Sequence, residues 1–432
     1  MALWLRSSGA DFEDRFKALL ALKREQSADV NDKVATIIAH VREDGDAALI
    51  DLTKSYDGVD LRIAGIRIAP AELAAARSLV DAKTLAALKL AHDRILDHHR
   101  RQVPKDDRYK DSQGVELGSR WTPVSSVGLY VPGGTASYPS SVLMNAVPAK
   151  VAAVPRIVMV VPAPKGVLNP LVLVAAELSG VSEIYRVGGA QAIAALAYGT
   201  ESIASVAKIV GPGNAYVAAA KRQVFGQVGI DMIAGPSEVV VIADEDNDPA
   251  WIASDLLAQA EHDEAAQAIL ITDDENFARA VEKAVEAELA VLPRGATARA
   301  SWKDYGAVIL LGNLAEAPAI VDRLAPEHLE IATRDPDTLA THVRDAGAIF
   351  IGRYTPEVIG DYVAGTNHVL PTARSARFAS GLSVLDFMKR TSILKLDSES
   401  LAALGPAAMV LAEAEGLDAH RRSVAIRLNP RD

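Results

Sequence analysis

The most consequential absence in this 432-residue chain is cysteine, of which it has none. A chain without thiols cannot form disulfides, iron–sulfur clusters or thiolate zinc sites. It also cannot attack an aldehyde through a catalytic cysteine, so aldehyde chemistry would need another route.

Long apolar runs and excess positive charge are missing as well. No stretch of about 18 residues is apolar without charges or breakers, so no membrane span is expected. The first six residues are only briefly apolar, unlike the core of a signal peptide, which favours a cytoplasmic location. The net charge of −11 argues against a nucleic-acid partner, which would require a basic face.

The chain is half apolar and long enough for two or three domains. Apolar residues recur at steps of three and four over residues 11–23, 29–44 and 70–100, which predicts helices. Residues 103–121 are polar and are expected to form loop or edge structure.

From residue 124 onward, short apolar runs alternate with helical segments, the rhythm of a parallel sheet with crossover helices. The predicted strands are 127–131, 156–161, 183–187, 207–210, 238–243, 268–272, 307–311, 329–332 and 348–351. The predicted fold is α/β, with two incomplete Rossmann-like parallel-sheet domains, a helical N-terminal region and an extended helical C-terminal tail. The predicted segments are residues 1–123, 124–236, 237–385 and 386–432.

Two glycine-containing turns join predicted strands to helices, at residues 188–191 (GGAQ) and 211–214 (GPGN). Glycine allows close approach of a ligand to the backbone, and the helix that follows offers free N–H groups to an anion. Neither turn matches the standard dinucleotide or P-loop pattern. An ordinary tight turn is the competing interpretation of each turn alone.

Four residues that lie far apart in the sequence could hold a divalent metal, with zinc the leading candidate: Gln259, His262, Asp361 and His420. Gln259 and His262 fall three residues apart on one helical face. Taken singly, each of these residues could equally be an ordinary solvated surface residue. Their positions in the sequence do not show whether they lie close together in the fold.

Glu327 and His328 place a carboxylate and an imidazole side by side before a predicted strand, which suits proton transfer near neutral pH. Ser237 in a Gly-Pro-Ser turn is a weaker candidate, because ligands of α/β sheets gather at the opposite ends of strands. His368 and the basic segment 374–378 stay unassigned, since a solvated loop explains them equally well.

Together these segments resemble histidinol dehydrogenases. The resemblance rests on residues 211–217 (GPGNAYV), 231–238 (DMIAGPSE), 260–263 (AEHD), 325–330 (APEHLE), 360–372 and 415–420 (EGLDAH), which occur in the expected order. The chain departs from the family pattern only in one loop, at Thr366 and residues 373–375.

The resemblance implies an NAD-linked, zinc-dependent enzyme of histidine biosynthesis that oxidises L-histidinol through an aldehyde. It implies one zinc per subunit on Gln259, His262, Asp361 and His420, which would also contact the substrate. Further implied roles are substrate contacts for Ser237, His328 and Glu415, NAD contacts for Tyr130, Gln191 and Asn214, and acid/base chemistry for Glu327 and His328. It also implies a homodimer whose C-terminal tail contributes to the partner's site.

Other functions remain open on sequence alone. A related dehydrogenase could act on another small alcohol, and a zinc hydrolase could use Glu327 as its base. A third alternative is an inactive relative that serves as a scaffold.

Overall fold

The computed structural model describes residues 2–22, 28–133, 138–233 and 235–428. The chain is divided into two compact units. Unit 1 comprises residues 1–102 and 125–387, and unit 2 comprises residues 103–124 and 388–432.

The strands build three sheets. In chain order they are β1 (Leu3–Arg6), β2 (Asp107–Lys110), β3 (Glu116–Pro123), β4 (Val127–Tyr130), β5 (Ile157–Val160), β6 (Glu183–Tyr185), β7 (Lys208–Val210), β8 (Gly229–Ile230), β9 (Glu238–Ala243), β10 (Gln267–Thr272), β11 (Ala307–Leu310), β12 (His328–Ala332), β13 (Ala348–Ile351) and β14 (Met388–Lys395).

Unit 1 contains two parallel sheets, as the sequence predicts. The five-stranded sheet has the order β6-β5-β4-β7-β8, and the six-stranded sheet has the order β1-β11-β10-β9-β12-β13. Unit 2 contains a three-stranded antiparallel sheet, β14-β3-β2.

Helices connect and cover the strands. They are α1 (Phe12–Leu20), α2 (Ala28–Asp57), α3 (Leu61–Ala64), α4 (Pro70–Ser78), α5 (Ala82–Arg100), α6 (Pro139–Val151), α7 (Pro170–Leu178), α8 (Gly189–Tyr198), α9 (Ala215–Val224), α10 (Pro249–Ala260), α11 (Glu275–Leu289), α12 (Gly295–Asp304), α13 (Ala317–Leu324), α14 (Pro336–Thr341), α15 (Glu357–Tyr362), α16 (Ser398–Ala414) and α17 (Asp418–Leu428). The backbone of α2 is non-helical at Gly45.

Burial on both faces explains why the central strands are continuous apolar runs. Every residue of β4, β9 and β10 is buried, as expected for parallel strands covered on both sides. One face of the six-stranded sheet packs with α10 to α12, and the other packs with α1 and α13. The five-stranded sheet packs with α2, α8 and α9.

Several predicted elements differ in detail. The helix predicted at residues 70–100 is two helices, because the Asp81 side chain accepts the Thr84 N–H and caps a new start at α5. The helix predicted at 11–23 ends at Leu20, and residue 23 lies outside the described residues. The polar stretch 103–121 contributes β2 and most of β3.

Three strands were missed altogether: β1, β14 and the two-residue β8. β1 lies in the region predicted as helical, and it pairs with β11 at the edge of the six-stranded sheet. β14 lies within the segment 386–432 predicted as a helical tail, which is therefore helical only from Ser398. Most residues of β14 are exposed, so its sequence lacks the apolar alternation that would indicate a strand.

The four-segment division of the chain stays a prediction. Within the described ranges, no helix combines the length and the apolar character needed to cross a bilayer.

Candidate active site

The candidate site is a cleft in unit 1 with a cavity volume of about 920 Å³. Its wall includes the turn from Gly211 to Asn214, which follows β7, and the first residues of β9, β10 and β12. The cleft therefore meets the carboxyl edge of the five-stranded sheet and the amino edge of the six-stranded sheet. Ligands of α/β sheets usually bind at the carboxyl ends of strands. Because the cleft also meets the amino edge of the six-stranded sheet, Ser237, just before β9, can line it.

Glu327 and His328 lie where β12 begins, and both side chains are buried. Glu327 Oε2 accepts the main-chain N–H of Glu238 at 3.1 Å, and His328 Nδ1 donates to the carbonyl oxygen of the same residue at 3.1 Å. Because a carbonyl oxygen can only accept, Nδ1 carries the hydrogen of the neutral ring. Nε2 is thus the nitrogen that can exchange a proton, and it lies 3.7 Å from Asp361 Oδ1.

The surroundings of this pair shift both pKa values towards or above neutrality. Burial raises the pKa of Glu327 to about 7. Burial alone would lower the pKa of His328, but the carboxylates of Glu357, Glu327 and Asp361 together outweigh it and raise that pKa well above its usual value. A pair that holds a proton in this range can exchange it with a bound substrate.

Glu357, which the sequence analysis did not identify, is a further acid at the site. It begins α15, and its Oε2 lies 3.9 Å from His328 Nδ1. Ligand atoms of His328, Glu357 and Asp361 all lie within 4.8 Å of one another, and burial raises the pKa of Glu357 to about 8. The available signal was the four-residue spacing of Glu357 and Asp361, which puts both on one face of a helix.

Two further predicted ligands, Gln259 and His262, have donor atoms that suit a divalent cation. Gln259 is fully buried, and within the described part of the chain neither its amide oxygen nor its amide nitrogen has a hydrogen-bond partner. An unpaired buried amide is costly, and a cation would satisfy its oxygen. His262 lines the cleft and lies within electrostatic range of Asp361 and His328. Imidazole, carboxylate and amide oxygen together are suitable ligands for zinc.

Two predicted site residues, Glu415 and His420, belong to unit 2. Glu415 directly follows α16, and His420 lies in the first turn of α17, where its N–H donates to Leu417 O at 3.1 Å. Their roles in binding stay predictions.

The three predicted NAD contacts lie at turns along the carboxyl edge of the five-stranded sheet. Tyr130 ends β4, and its hydroxyl oxygen accepts the N–H of Gly189 at 3.1 Å. Gln191 is buried in the first turn of α8. Asn214 caps α9, since its side-chain oxygen accepts two main-chain N–H groups. These placements leave the NAD roles as predictions.

A buried ion pair fixes the turn at Gly211 by bonding to both the N–H and the carbonyl oxygen of that residue. Asp231 accepts the Gly211 N–H at 2.7 Å, and Lys221 Nζ donates to the Gly211 carbonyl at 2.9 Å while pairing with Asp231. Gly211 has φ of 112°, and a Cβ there would lie 2.2 Å from the carbonyl oxygen of Tyr130. The turn is therefore tightly fixed, and only glycine fits.

The loop after α15 also lines the cleft. His368 Nδ1 donates to the carbonyl oxygen of Asp361 at 3.1 Å, so the unassigned His368 lies beside a predicted metal ligand. Ala373 and Arg374 both adopt left-handed backbone, with φ of 52° and 62°. Arg374 donates to Arg323 O at 2.9 Å.

Comparison with known proteins places these features in a family. A family model described as histidinol dehydrogenase matches residues 20–428. Histidinol dehydrogenases of Mesorhizobium japonicum and Brucella suis are 67% and 68% identical over 429 residues, covering 99% of this chain and all of each relative. A crystal structure of histidinol dehydrogenase from Elizabethkingia anophelis superposes with a TM-score of 0.94 at 36% identity, covering 99% of this chain and 98% of that one.

Proposed function

The chain belongs to the histidinol dehydrogenase family, and from that premise we propose that it oxidises L-histidinol to L-histidine, with NAD as hydride acceptor. The reaction completes histidine biosynthesis and passes through L-histidinaldehyde. The observation that carries the proposal is the buried Glu327–His328 pair, whose pKa values are both raised, in a cleft that also contains His262 and Asp361.

We assign one zinc ion per subunit to Gln259, His262, Asp361 and His420. The unpaired amide of Gln259 and the carboxylates gathered around His328 support this assignment, because a cation would satisfy the amide oxygen and would be attracted by the carboxylates. When bound, zinc supplies a charge that anchors and orients the nitrogen donors of the substrate. Ser237, His328 and Glu415 complete the substrate contacts.

We assign NAD to the turns at Tyr130, Gln191 and Asn214. Their support is their common position at the carboxyl edge of the five-stranded sheet, which borders the cleft through Asn214. Bound there, NAD accepts a hydride in each half-reaction. Orientation of the substrate carbon relative to the nicotinamide is the contribution of the protein.

In the first half-reaction, His328 Nε2 accepts the hydroxyl proton of the substrate as the carbinol carbon loses its hydride. His328 acts as the base in its neutral form, in which Nδ1 carries the hydrogen bonded to the Glu238 carbonyl and Nε2 is free. A cation held by Asp361 would favour this form, because it would offset one of the carboxylates that raise the pKa of His328. The product is the bound aldehyde.

In the second half-reaction, the aldehyde must gain water before its carbon can lose another hydride. A thiol route is excluded because the chain has no cysteine. Glu327 accepts a proton from the attacking water, and His328 returns to the carbonyl oxygen the proton that it took in the first half-reaction. His328 is then neutral and accepts a hydroxyl proton of the hydrate as the second hydride leaves. A positioned base of this kind contributes roughly a hundred- to ten-thousand-fold in rate.

The substitution Glu327→Gln tests the division of roles. We expect oxidation of the aldehyde to fall much more than oxidation of the alcohol, measured as NADH absorbance in stopped-flow experiments with each substrate. An equal fall of both half-reactions would contradict the assignment. Complete absence of NADH formation by the wild type with L-histidinol would favour another alcohol substrate or a hydrolase.

The homodimer, the contribution of its C-terminal tail to the partner's site and the cytoplasmic location are also part of the proposal. Their support is the resemblance of residues 415–420 to the family.

A further inference from the structure

Three carboxyls form a layer behind the residues that face the cleft: the buried Glu330 on β12 and Glu357 on α15, and the half-buried Asp255 on α10. Glu330 and Glu357 are 3% and 2% exposed, which is rare for acids without a cationic partner. The described residues provide no Lys or Arg salt bridge to any of the three, and Glu357 has the imidazole of His328 as a neighbour. Another function must therefore account for the burial of Glu330.

Glu330 joins β12 to α15. Its Oε1 accepts the main-chain N–H of Glu357 at 2.6 Å, and that N–H begins the helix, where intrahelical partners are lacking. Glu330 also follows His328 by two residues on the strand, so both side chains point to the same face. The strand that carries the proposed base therefore anchors α15 directly.

Glu330 also joins β12 to α10. Its side chain also lies against the side chain of Asp255, which places the two carboxyls within hydrogen-bonding reach. Two carboxyls can bond in this way only when one is protonated. Burial supports this state, because it raises the pKa of Glu330 well above its usual value and that of Asp255 to about 6.

The two partners of Glu330 each precede a proposed zinc ligand by one helical turn. Asp255 lies four residues before Gln259 on α10, and Glu357 lies four residues before Asp361 on α15. Residues four apart occupy the same helical face. One carboxyl therefore ties together the two helices that carry these ligands.

We propose that Glu330 is a positioning residue that holds α10 and α15 in register on β12, so that Gln259 and Asp361 are presented to one cation. The inference rests on the proposed zinc site and adds the residue that assembles it. Glu330 does not contact the metal or the substrate; it acts through the two helices.

A matched pair of substitutions tests the proposal. Glu330→Gln preserves both bonds, since its amide oxygen can accept from Glu357 and its amide nitrogen can donate to Asp255. Glu330→Leu removes both bonds at similar volume. Thr333→Val is the control, because Thr333 is a buried polar residue just beyond the other end of β12.

The first readout is zinc affinity, measured by competition with a chromophoric chelator, together with the absorption spectrum of the cobalt-substituted protein. We expect Glu330→Leu to weaken zinc binding about 10- to 100-fold and to alter the cobalt spectrum, as substitutions that support metal ligands do. Glu330→Gln and Thr333→Val should bind like the wild type. Unchanged affinity in Glu330→Leu, or equal loss in Glu330→Gln, would overturn the proposal.

The second readout needs no metal. Hydrogen exchange of a peptide covering residues 357–362 in the metal-free protein should be faster in Glu330→Leu and unchanged in Glu330→Gln. Unaltered exchange in Glu330→Leu overturns the positioning role, whereas failure of the wild type to bind zinc overturns the proposed function alone. Should Glu330→Leu not fold, Asp255→Ala takes its place, and normal zinc affinity in that variant contradicts the proposal.

Discussion

Glu327 shows how burial alone can prepare a side chain for proton transfer. Its carboxyl is bonded to a main-chain N–H and lies near His328, yet loss of water raises its pKa from 4.5 to about 7. A carboxyl with this pKa accepts a proton near neutral pH far more readily than an ordinary glutamate. The same shift must make the folded protein sensitive to pH.

We predict that Glu327 destabilises the metal-free protein at alkaline pH. The pKa of Glu327 is about 7 in the folded protein and 4.5 in the unfolded chain, so below about pH 4.5 the carboxyl is protonated in both states and costs no stability. As the pH rises through 7, the buried carboxyl must ionise, and the folded protein loses about 3 kcal/mol of stability. Glu327→Gln should therefore raise the free energy of unfolding at pH 8, and the gain should shrink towards pH 5. Urea unfolding with a chelator measures this, with the exposed Glu264→Gln as control. Equal stability of the wild type and Glu327→Gln at pH 8 would contradict the prediction.

At the residue scale, the sequence could identify side chains with distinctive chemistry but not the layer behind them. His328 and Glu327 stand out because carboxylate and imidazole adjoin, and residues 260–263 carry a recognisable pattern. Glu330 and Glu357 do not stand out, because an acid in a strand or a short helix is usually solvated. Only the fold reveals that both are buried and that Glu357 lies beside His328.

At the scale of elements, the sequence predicts those strands that are buried on both faces of a sheet. β9 and β10 are continuous apolar runs, and both were predicted within one residue of their observed bounds. β2 and β14 could not be found this way, because their residues are largely exposed and they form by pairing with β3. Long-range pairing leaves little trace in a local pattern.

The loop after α15 contains backbone strain that a single substitution should relieve. Ala373 has φ of 52° and a Cβ that disfavours this conformation. We predict that Ala373→Gly raises the free energy of unfolding by about 0.5–1 kcal/mol, after allowing for the greater entropy of glycine in the unfolded chain. Ala376→Gly, in the short 3-10 helix that follows, should lower stability instead. Thermal unfolding of both variants shows whether each substitution raises or lowers stability. A lower stability of Ala373→Gly than of the wild type would contradict the proposed backbone strain.

At the scale of the whole molecule, the α/β class and the two parallel sheets followed from the alternation of strands and helices. The two compact units could not be inferred in this way, because unit 2 combines residues 103–124 with residues 388–432. Segments so distant in sequence are joined by the pairing of β3 with β14. A linear search for boundaries cannot detect such a unit.

A complementation experiment tests the proposed sharing of sites between subunits. His262→Asn and His420→Asn should each lose zinc and activity. If the tail acts on the partner's site, mixed dimers of the two variants contain one intact site, and random mixing restores about one quarter of wild-type activity. Mixing after mild unfolding and refolding, with an activity assay and elemental analysis, measures this. Each variant refolded alone is the control, and no recovery in confirmed mixed dimers would place His420 in its own subunit's site.

The opposed edges of the two sheets have an evolutionary consequence. Turns of the five-stranded sheet and strand beginnings of the six-stranded sheet border the same cleft, yet they come from different stretches of sequence. If NAD and the alcohol bind as proposed, preference for the dinucleotide and preference for the alcohol can therefore diverge separately, since mutations that change one need not disturb the other. A laboratory search for new substrates could leave residues 127–231 untouched and diversify the later half of the cleft alone.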